Sequence, residues 1–339
     1  MAEKNTRIQL AHGGGGRLTD TLLHDIVLKH LPGQPALLDA AELNLDDASR
    51  IAFTTDSYVV SPIFFPGGDL GKLAVYGTCN DLAVTGAKPI ALSLALIIEE
   101  GFELASLERL MVSVAEASRQ ADVTVVTGDT KVVSRGQADG IYINTAGIGR
   151  ILPQSRLGFD RIVPGDKILL SGAIGDHGLA IMAKREGLSF DTLIESDAAP
   201  LADVANELIQ ELADGVRFMR DPTRAGLAGV LVDIARDAGR GVLIREDLIP
   251  TNPSTLAAAE VLGLDLLTVA NEGKLVAVIG PEHCDHALHI CRKYEKSSRA
   301  AIIGQISDQV NVGQVVMITS IGGRRIVQKS YGEQLPRIC

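Results

Sequence analysis

The chain has 339 residues, 46% of them hydrophobic and 22% charged, which is globular material enough for two cores. Its formal net charge of -10 argues against a nucleic-acid partner, because an acidic surface repels a phosphate backbone. No apolar run reaches the roughly 20 residues a bilayer span needs, and Glu3, Asn5 and Arg7 interrupt any signal-peptide pattern.

In chain order, residues 1–36 read as an N-terminal arm. It holds a short strand at Ile8–Leu10, a glycine loop at Gly13–Gly16 and a helix marked by Leu18, Leu22 and Ile26, and it ends in a Pro/Gly linker. Residues 37–155 read as a first αβ domain. Strands are expected at Ile51–Thr55, Tyr58–Val60, Ile90–Ile97, Val123–Thr127 and Ile141–Ile148, with helices at Leu70–Thr85 and Leu104–Gln120. Residues 156–330 read as a second αβ domain. Its expected strands are Lys167–Ser171, Gly241–Ile244 and Lys274–Ile279, with a closing hairpin around Gly322-Gly323. Its expected helices are Gly175–Arg185, Leu201–Ala213, Arg224–Ala238 and Glu282–Tyr294. Tyr331–Cys339 lacks apolar periodicity and reads as a mobile tail. Alternating strands and helices favour an α+β or α/β fold of two αβ domains.

Carboxylates and amides recur at expected strand ends and loops: Asp46-Asp47, Asp56, Asn80-Asp81, Asp129, Asp221 and Asn271-Glu272. Dispersed oxygen ligands of this kind, gathered by a fold, suit a Mg²⁺-nucleotide site, although each one alone also suits a turn or a helix cap. Asn80-Asp81 is the pair hardest to set aside. It interrupts the apolar helix Leu73–Val84, where a carboxylate must face a cleft or a cation. Gly128-Asp129-Thr130-Lys131 follows a strand and is either a phosphate-contacting turn or a plain polar one; it is not a Walker A loop. Gly13–Gly16 is ambiguous in the same way.

His283, Cys284, His286, His289 and Cys291 invite a zinc site. Cys284, Ala287, Leu288 and Cys291 fall at i, i+3, i+4 and i+7, however, which places both thiols on an apolar helix face. The four cysteines show no framework spacing, so a reducing, cytoplasmic setting is expected. Cys339 is the last residue. Its tail, fully extended, spans on the order of 30 Å, enough to reach a cleft on its own protein or a partner.

One family accounts for these pieces in order. His12-Gly13-Gly14-Gly15-Gly16, Asn80-Asp81-Leu82-Ala83, Gly86-Ala87-Lys88-Pro89, Glu99-Glu100-Gly101-Phe102 and Gly128-Asp129-Thr130-Lys131-Val132-Val133 stand in the first part of the chain. Gly175-Asp176-His177-Gly178, Arg220-Asp221-Pro222-Thr223-Arg224, Ala270-Asn271-Glu272-Gly273 and the terminal Pro336-Arg337-Ile338-Cys339 complete the set. Together they resemble the HypE family of hydrogenase maturation factors, carbamoyl dehydratases. Several inner motifs are shared with aminoimidazole ribonucleotide synthetase and selenophosphate synthetase, and the terminal Pro-Arg-Ile-Cys discriminates. A departure is Ala225, where the pattern has glycine.

The resemblance implies two αβ domains, the first forming a homodimer through its sheet, with ATP and Mg²⁺ in a cleft between the domains. It implies that Asp47, Asp56, Asn80, Asp81, Gly128, Asp129, Thr130, Lys131, Asp221, Thr223 and Asn271 bind the nucleotide and that Asp47, Asp81 and Asp221 hold the metal. It further implies that the carbamoyltransferase HypF loads Cys339, that Glu272 and Lys131 assist dehydration to a thiocyanate, and that the HypC–HypD complex accepts the cyanide for the iron of [NiFe]-hydrogenase. A synthetase of the aminoimidazole ribonucleotide type, needing no terminal thiol, and a non-catalytic thiol carrier are the competing readings.

Overall fold

The computed structural model describes residues 16–22, 24–25, 39–44, 50–188, 193–331 and 337–338. A short helix α1 (Arg17–Leu22) precedes the first domain. That domain comprises β1 (Ala41–Asn44), β2 (Arg50–Tyr58), the short strands β3 (Phe64–Phe65) and β4 (Gly68–Asp69), α2 (Leu70–Val84), β5 (Ala87–Glu99), α3 (Leu104–Gln120), β6 (Thr124–Val133) and β7 (Ile141–Ile151). Its main sheet has the order β1-β2-β7-β5-β6. Only β5 and β6 run parallel, as the crossover through α3 requires.

The Asp69 carboxylate caps α2 by accepting the Lys72 N–H at 3.0 Å. Leu70, Leu73, Ala74, Tyr76, Cys79 and Leu82 are all buried, so this helix is enclosed on every side. It lies between the first sheet and the second domain. Asn80 makes the tie: its amide donates to the carbonyls of Ala199 at 3.0 Å and Glu272 at 3.1 Å, and its oxygen accepts the Leu201 N–H at 2.8 Å. The cores are shared as well. Ala83 and Val84 pack in one cluster with Leu201, Leu208 and Ile209, while Tyr58, Val60 and Phe65 cluster with Leu179, Ile181 and Val269.

The second domain comprises β8 (Lys167–Leu170), α4 (Asp176–Arg185), α5 (Ala202–Leu212), β9 (Val216–Arg220), α6 (Gly226–Asp237), β10 (Val242–Arg245), α7 (Pro253–Leu262), β11 (Val276–Ile279), α8 (Cys284–Arg292), β12 (Ala301–Ile306), β13 (Val315–Ile318) and β14 (Arg324–Val327). One sheet takes all seven strands in the order β14-β13-β10-β12-β8-β11-β9, with only β10 and β13 parallel. Cys291 is fully buried in α8 and Cys284 packs beside the same cluster; among the described residues no three or more His, Cys, Asp and Glu side chains converge on one point.

Several expected boundaries move. The two strands expected at 51–55 and 58–60 are one, since Asp56 and Ser57 continue the pairing with β7 through Thr145 and Asn144. The strand expected to end at Thr127 runs on to Val133, because Gly128, Asp129, Thr130 and Lys131 pair with Leu94, Ala95, Leu96 and Ile97 of β5. β1, β3, β4, β9, α7 and β12 are not among the elements expected from the sequence.

Candidate functional site

A cleft of about 800 Å³ opens between the domains. β2 alternates, so Thr54 and Tyr58 turn inward. Asp56 lies on the same strand face and lines the cleft. One turn from its C-terminus, α2 supplies Asp81. The loop after β9 supplies Asp221 and Thr223, the loop before β11 supplies Glu272, and α6 supplies Asp233. Arg337 and Ile338 complete the lining.

Negative charge is concentrated here. The Thr54 hydroxyl donates to Asp81 at 3.0 Å, and the Tyr58 hydroxyl donates to Asp56 at 3.2 Å. Arg220 bridges Asp39 at 3.0 Å and Asp233 at 3.3 Å. Burial, reinforced by Asp56 and Asp221, pushes the Asp81 carboxyl well above its ordinary value. Burial and then Asp39 and Asp56 do the same to Asp221. Burial is also the largest cause at Glu272, with Asp221, Asp197 and Asp56 adding to it. The Glu272 backbone is fixed, its N–H donating to Asp197 at 3.0 Å, yet its side-chain Oε1 is buried with no hydrogen-bond partner. A polar oxygen in that state costs free energy until a ligand or proton meets it.

This wall of carboxylates suits a hard divalent cation, whose ligands are oxygens. Among the described residues no group of three already converges as a metal cage.

Among the described residues, those expected at the site separate into three groups. Asp56, Asp81, Asp221, Thr223 and Glu272 line the cleft together. Asn80 and Asn271 do not; both are fully engaged as braces. Asn271 accepts the Gly175 N–H at 2.7 Å and donates to the carbonyls of Pro222 and Val269, each at 3.0 Å, which fixes the loops carrying Asp221 and Glu272. Gly128, Asp129, Thr130 and Lys131 lie exposed on the edge strand β6, three strand positions from β2. Lys131 pairs there with Asp129 at 2.7 Å, and Gly128 is required by the close approach of the Leu94 carbonyl. Asp47 and Cys339 lie outside the described residues, as do Gly13–Gly15.

Asp39, Tyr58, Asp233 and Arg220 went unassigned as cleft residues in the sequence. Arg220 stands inside a quoted motif, while Asp39 and Asp233 carry no motif signal.

Of the tail, Arg337 and Ile338 are docked. The Ile338 side chain is only 7% exposed and joins the cluster of Tyr58, Val60 and Phe65. Arg337 donates to the Val59 carbonyl at 2.9 Å and pairs with Asp139.

Two αβ domains around a carboxylate-lined cleft define an AIR synthase related protein, and both halves match that family: its N-terminal domain at residues 38–151 and its C-terminal domain at 163–316. The chain is 49% identical to the carbamoyl dehydratase HypE of Rhizobium leguminosarum bv. viciae over 99% of this chain and 96% of that protein. A solved HypE in complex with ATP is 44% identical at a TM-score of 0.83, covering 98% of this chain and 100% of that one. A solved HypE–HypF complex gives a TM-score of 0.86 at 43% identity, covering 91% and 99%. The chain belongs to the HypE carbamoyl dehydratase family.

Proposed function

We propose that the protein dehydrates an S-carbamoyl group on Cys339 to a thiocyanate at the expense of ATP, in the cytoplasm, as a step in building the cyanide ligand of a [NiFe]-hydrogenase iron. The observation that carries this is the docking of Arg337 and Ile338 at a cleft lined by Asp56, Asp81, Asp221 and Glu272. A tail segment held at an acidic, nucleotide-sized cleft is suited to present a carried group to a nucleotide bound there.

The chemistry asks for two things. The carbamoyl oxygen is a poor leaving group until it is phosphorylated, and both N–H protons must depart to leave S–C≡N. Glu272 is suited to take such a proton. Its carboxylate is buried and held above its ordinary pKa, with one oxygen uncommitted. Asp81 and Asp221, with Asp47, would hold Mg²⁺; when bound, the metal offsets charge on the phosphoryl group in transfer.

Lys131 enters as a group supplied across a dimer interface, because within one chain it faces solvent away from the cleft. The first sheet favours such an interface. On the side turned from α2 and α3, Phe53 and Ile148 are cross-strand partners left exposed, and Ile90 and Ile97 are exposed nearby. HypF as the loading enzyme and HypC–HypD as the acceptor complete the proposal. A solved relative in complex with HypF supports the first of these.

Intact-mass measurement tests the reaction. After carbamoylation, Mg-ATP should remove one water from the adduct, and peptide mapping should place the product on Cys339. Cys339→Ala should abolish the adduct, while Glu272→Gln should load fully and keep its water. A product mapped to Cys79, Cys284 or Cys291 sinks the assignment.

A further inference from the structure

His177 stands in the first turn of α4 and is completely buried. Its Nδ1 lies 2.8 Å from the Ser196 hydroxyl and its Nε2 lies 2.7 Å from the carbonyl oxygen of Ile338. The neighbours decide which nitrogen carries the proton. Ser196 Oγ already accepts the Ala198 N–H at 3.1 Å, so its own proton is free to point at Nδ1. Nε2 must then be the donor, since a carbonyl can only accept. Burial pushes the imidazole pKa down, favouring this neutral form, and the edge of the Phe65 ring, 5.7 Å away between centroids, walls it in.

The last residue of the same helix reaches the neighbouring peptide unit. Arg185 Nη2 donates to the Arg337 carbonyl at 2.8 Å, and the Ser61 N–H donates to that same oxygen at 3.1 Å. Arg185 Nε also donates to the Ser61 carbonyl at 3.0 Å, so Ser61 and Arg185 hold each other as well as the tail. Arg337 itself sits at φ 56, a backbone setting that an arginine adopts only when its surroundings impose it. The two successive carbonyls thus meet two ends of one helix, and neither contact reads a side chain.

The peptide plane supplies the consequence. A trans peptide unit is rigid from one Cα to the next. A donor that fixes the Ile338 carbonyl therefore fixes the plane on which the terminal residue is mounted. Only rotations within that last residue remain to aim its thiol. For a group that must meet a base and a phosphoryl donor, this restriction is worth rate, because reacting atoms must be brought together in one orientation.

We propose that His177 is a positioning residue for the carrier tail, holding the Ile338 carbonyl through Nε2–H while Arg185 holds that of Arg337, so that α4 clamps the main chain just before the reacting thiol. The proposal rests on Cys339 being the carrier. Its separate content is that docking is read from backbone carbonyls by α4, with Ser196 setting the tautomer that makes the grip possible.

The test uses the full-length protein and reads two quantities: the alkylation rate of Cys339 by iodoacetamide, mapped by mass, and the single-turnover rate of water loss from the carbamoylated protein with Mg-ATP. Losing one neutral hydrogen bond should shift docking by about threefold to tenfold. In His177→Leu, Cys339 should be alkylated faster by that factor and water loss slowed by it, with carbamoyl loading and Mg-ATP affinity unchanged. His177→Gln, which keeps a donor, should recover part of both. Ser196→Ala, which never touches the tail, should move both in the same direction and decides the matter if His177→Leu does not fold. Unchanged alkylation and unchanged water loss in folded variants overturn the clamp even where wild-type product maps to Cys339. An equal loss of Mg-ATP affinity overturns it too, by exposing a general structural role. If the wild-type product maps to another cysteine, the carrier reading fails first and the clamp falls with it.

Discussion

Ala225 sits at φ 60, in the left-handed region, as the residue that precedes α6. An L-residue pays about 1–2 kcal/mol there that glycine avoids. The glycine that the resemblance leads one to expect here would suit this backbone setting. Alanine is retained here with its carbonyl accepting the Gly229 N–H at 3.0 Å, so the turn forms despite the strain. Ala225→Gly should raise stability by about 1 kcal/mol, the relief of φ strain outweighing the extra freedom of the unfolded chain. Urea unfolding checks this, and a less stable variant would show that the methyl packs better than its backbone suffers. Thr223 and Asp221 lie on the same loop, so nucleotide affinity measured in this variant also reports how far the cleft depends on that turn.

At the scale of elements, the uncovered face of the first sheet is the feature with the plainest consequence. Phe53 and Ile148 stand opposite one another on β2 and β7. Phe53→Glu with Ile148→Glu should leave the fold intact, since both side chains are exposed, and should weaken self-association by at least about a hundredfold. Light scattering at micromolar concentration checks it, and a monomeric wild type rules the dimer out. α3 is legible because its apolar residues recur at helical spacing, whereas α2, buried all round, is marked by its length of apolar sequence after Gly67-Gly68. β9 stayed hidden because Arg217 and Arg220 break an otherwise apolar run; Arg220 is there to bind Asp39 and Asp233. α7 was hidden because its alanines carry little periodic contrast, even though Asn252-Pro253 is a helix-start signal. β6 was cut short in the sequence because Gly-Asp-Thr-Lys has turn composition. Pairing with β5 overrides that preference, as tertiary context commonly does for strands. The cleft was half legible: Asp81, Asp221 and Glu272 carried motif signals, whereas Asp39 and Asp233 are brought in by long-range folding alone.

For the molecule as a whole, the cleft is a reservoir of electrostatic cost. Asp81, Asp221 and Glu272 all hold their protons more tightly when folded than a free carboxyl does. Their contribution to stability is complete below the unfolded value of about 4 and is lost as pH rises through the raised folded values. A triple variant, Asp81→Asn, Asp221→Asn and Glu272→Gln, lacks that loss. Without divalent cations its melting temperature should exceed that of the wild type by a margin that grows by about 2 °C or more between roughly pH 5 and 8. Added Mg²⁺ should narrow the margin, because only the wild type gains a ligand. A margin independent of pH would mean that the carboxylates are not strained in the folded state.

The bracing of α2 by Asn80 settles how anything enters. Because that amide is bonded to Ala199, Leu201 and Glu272, and because Ala83 and Val84 share a core with α5, the two domains cannot swing apart like jaws without tearing a dry interior. Hinge opening is thereby a costly route of exchange, which favours passage through the open side of the cleft, whose lining includes Arg337 and Ile338. On the proposed function this fixes an order of entry: the nucleotide has to be in place before the loaded tail docks, because phosphorylation needs both in the cleft together.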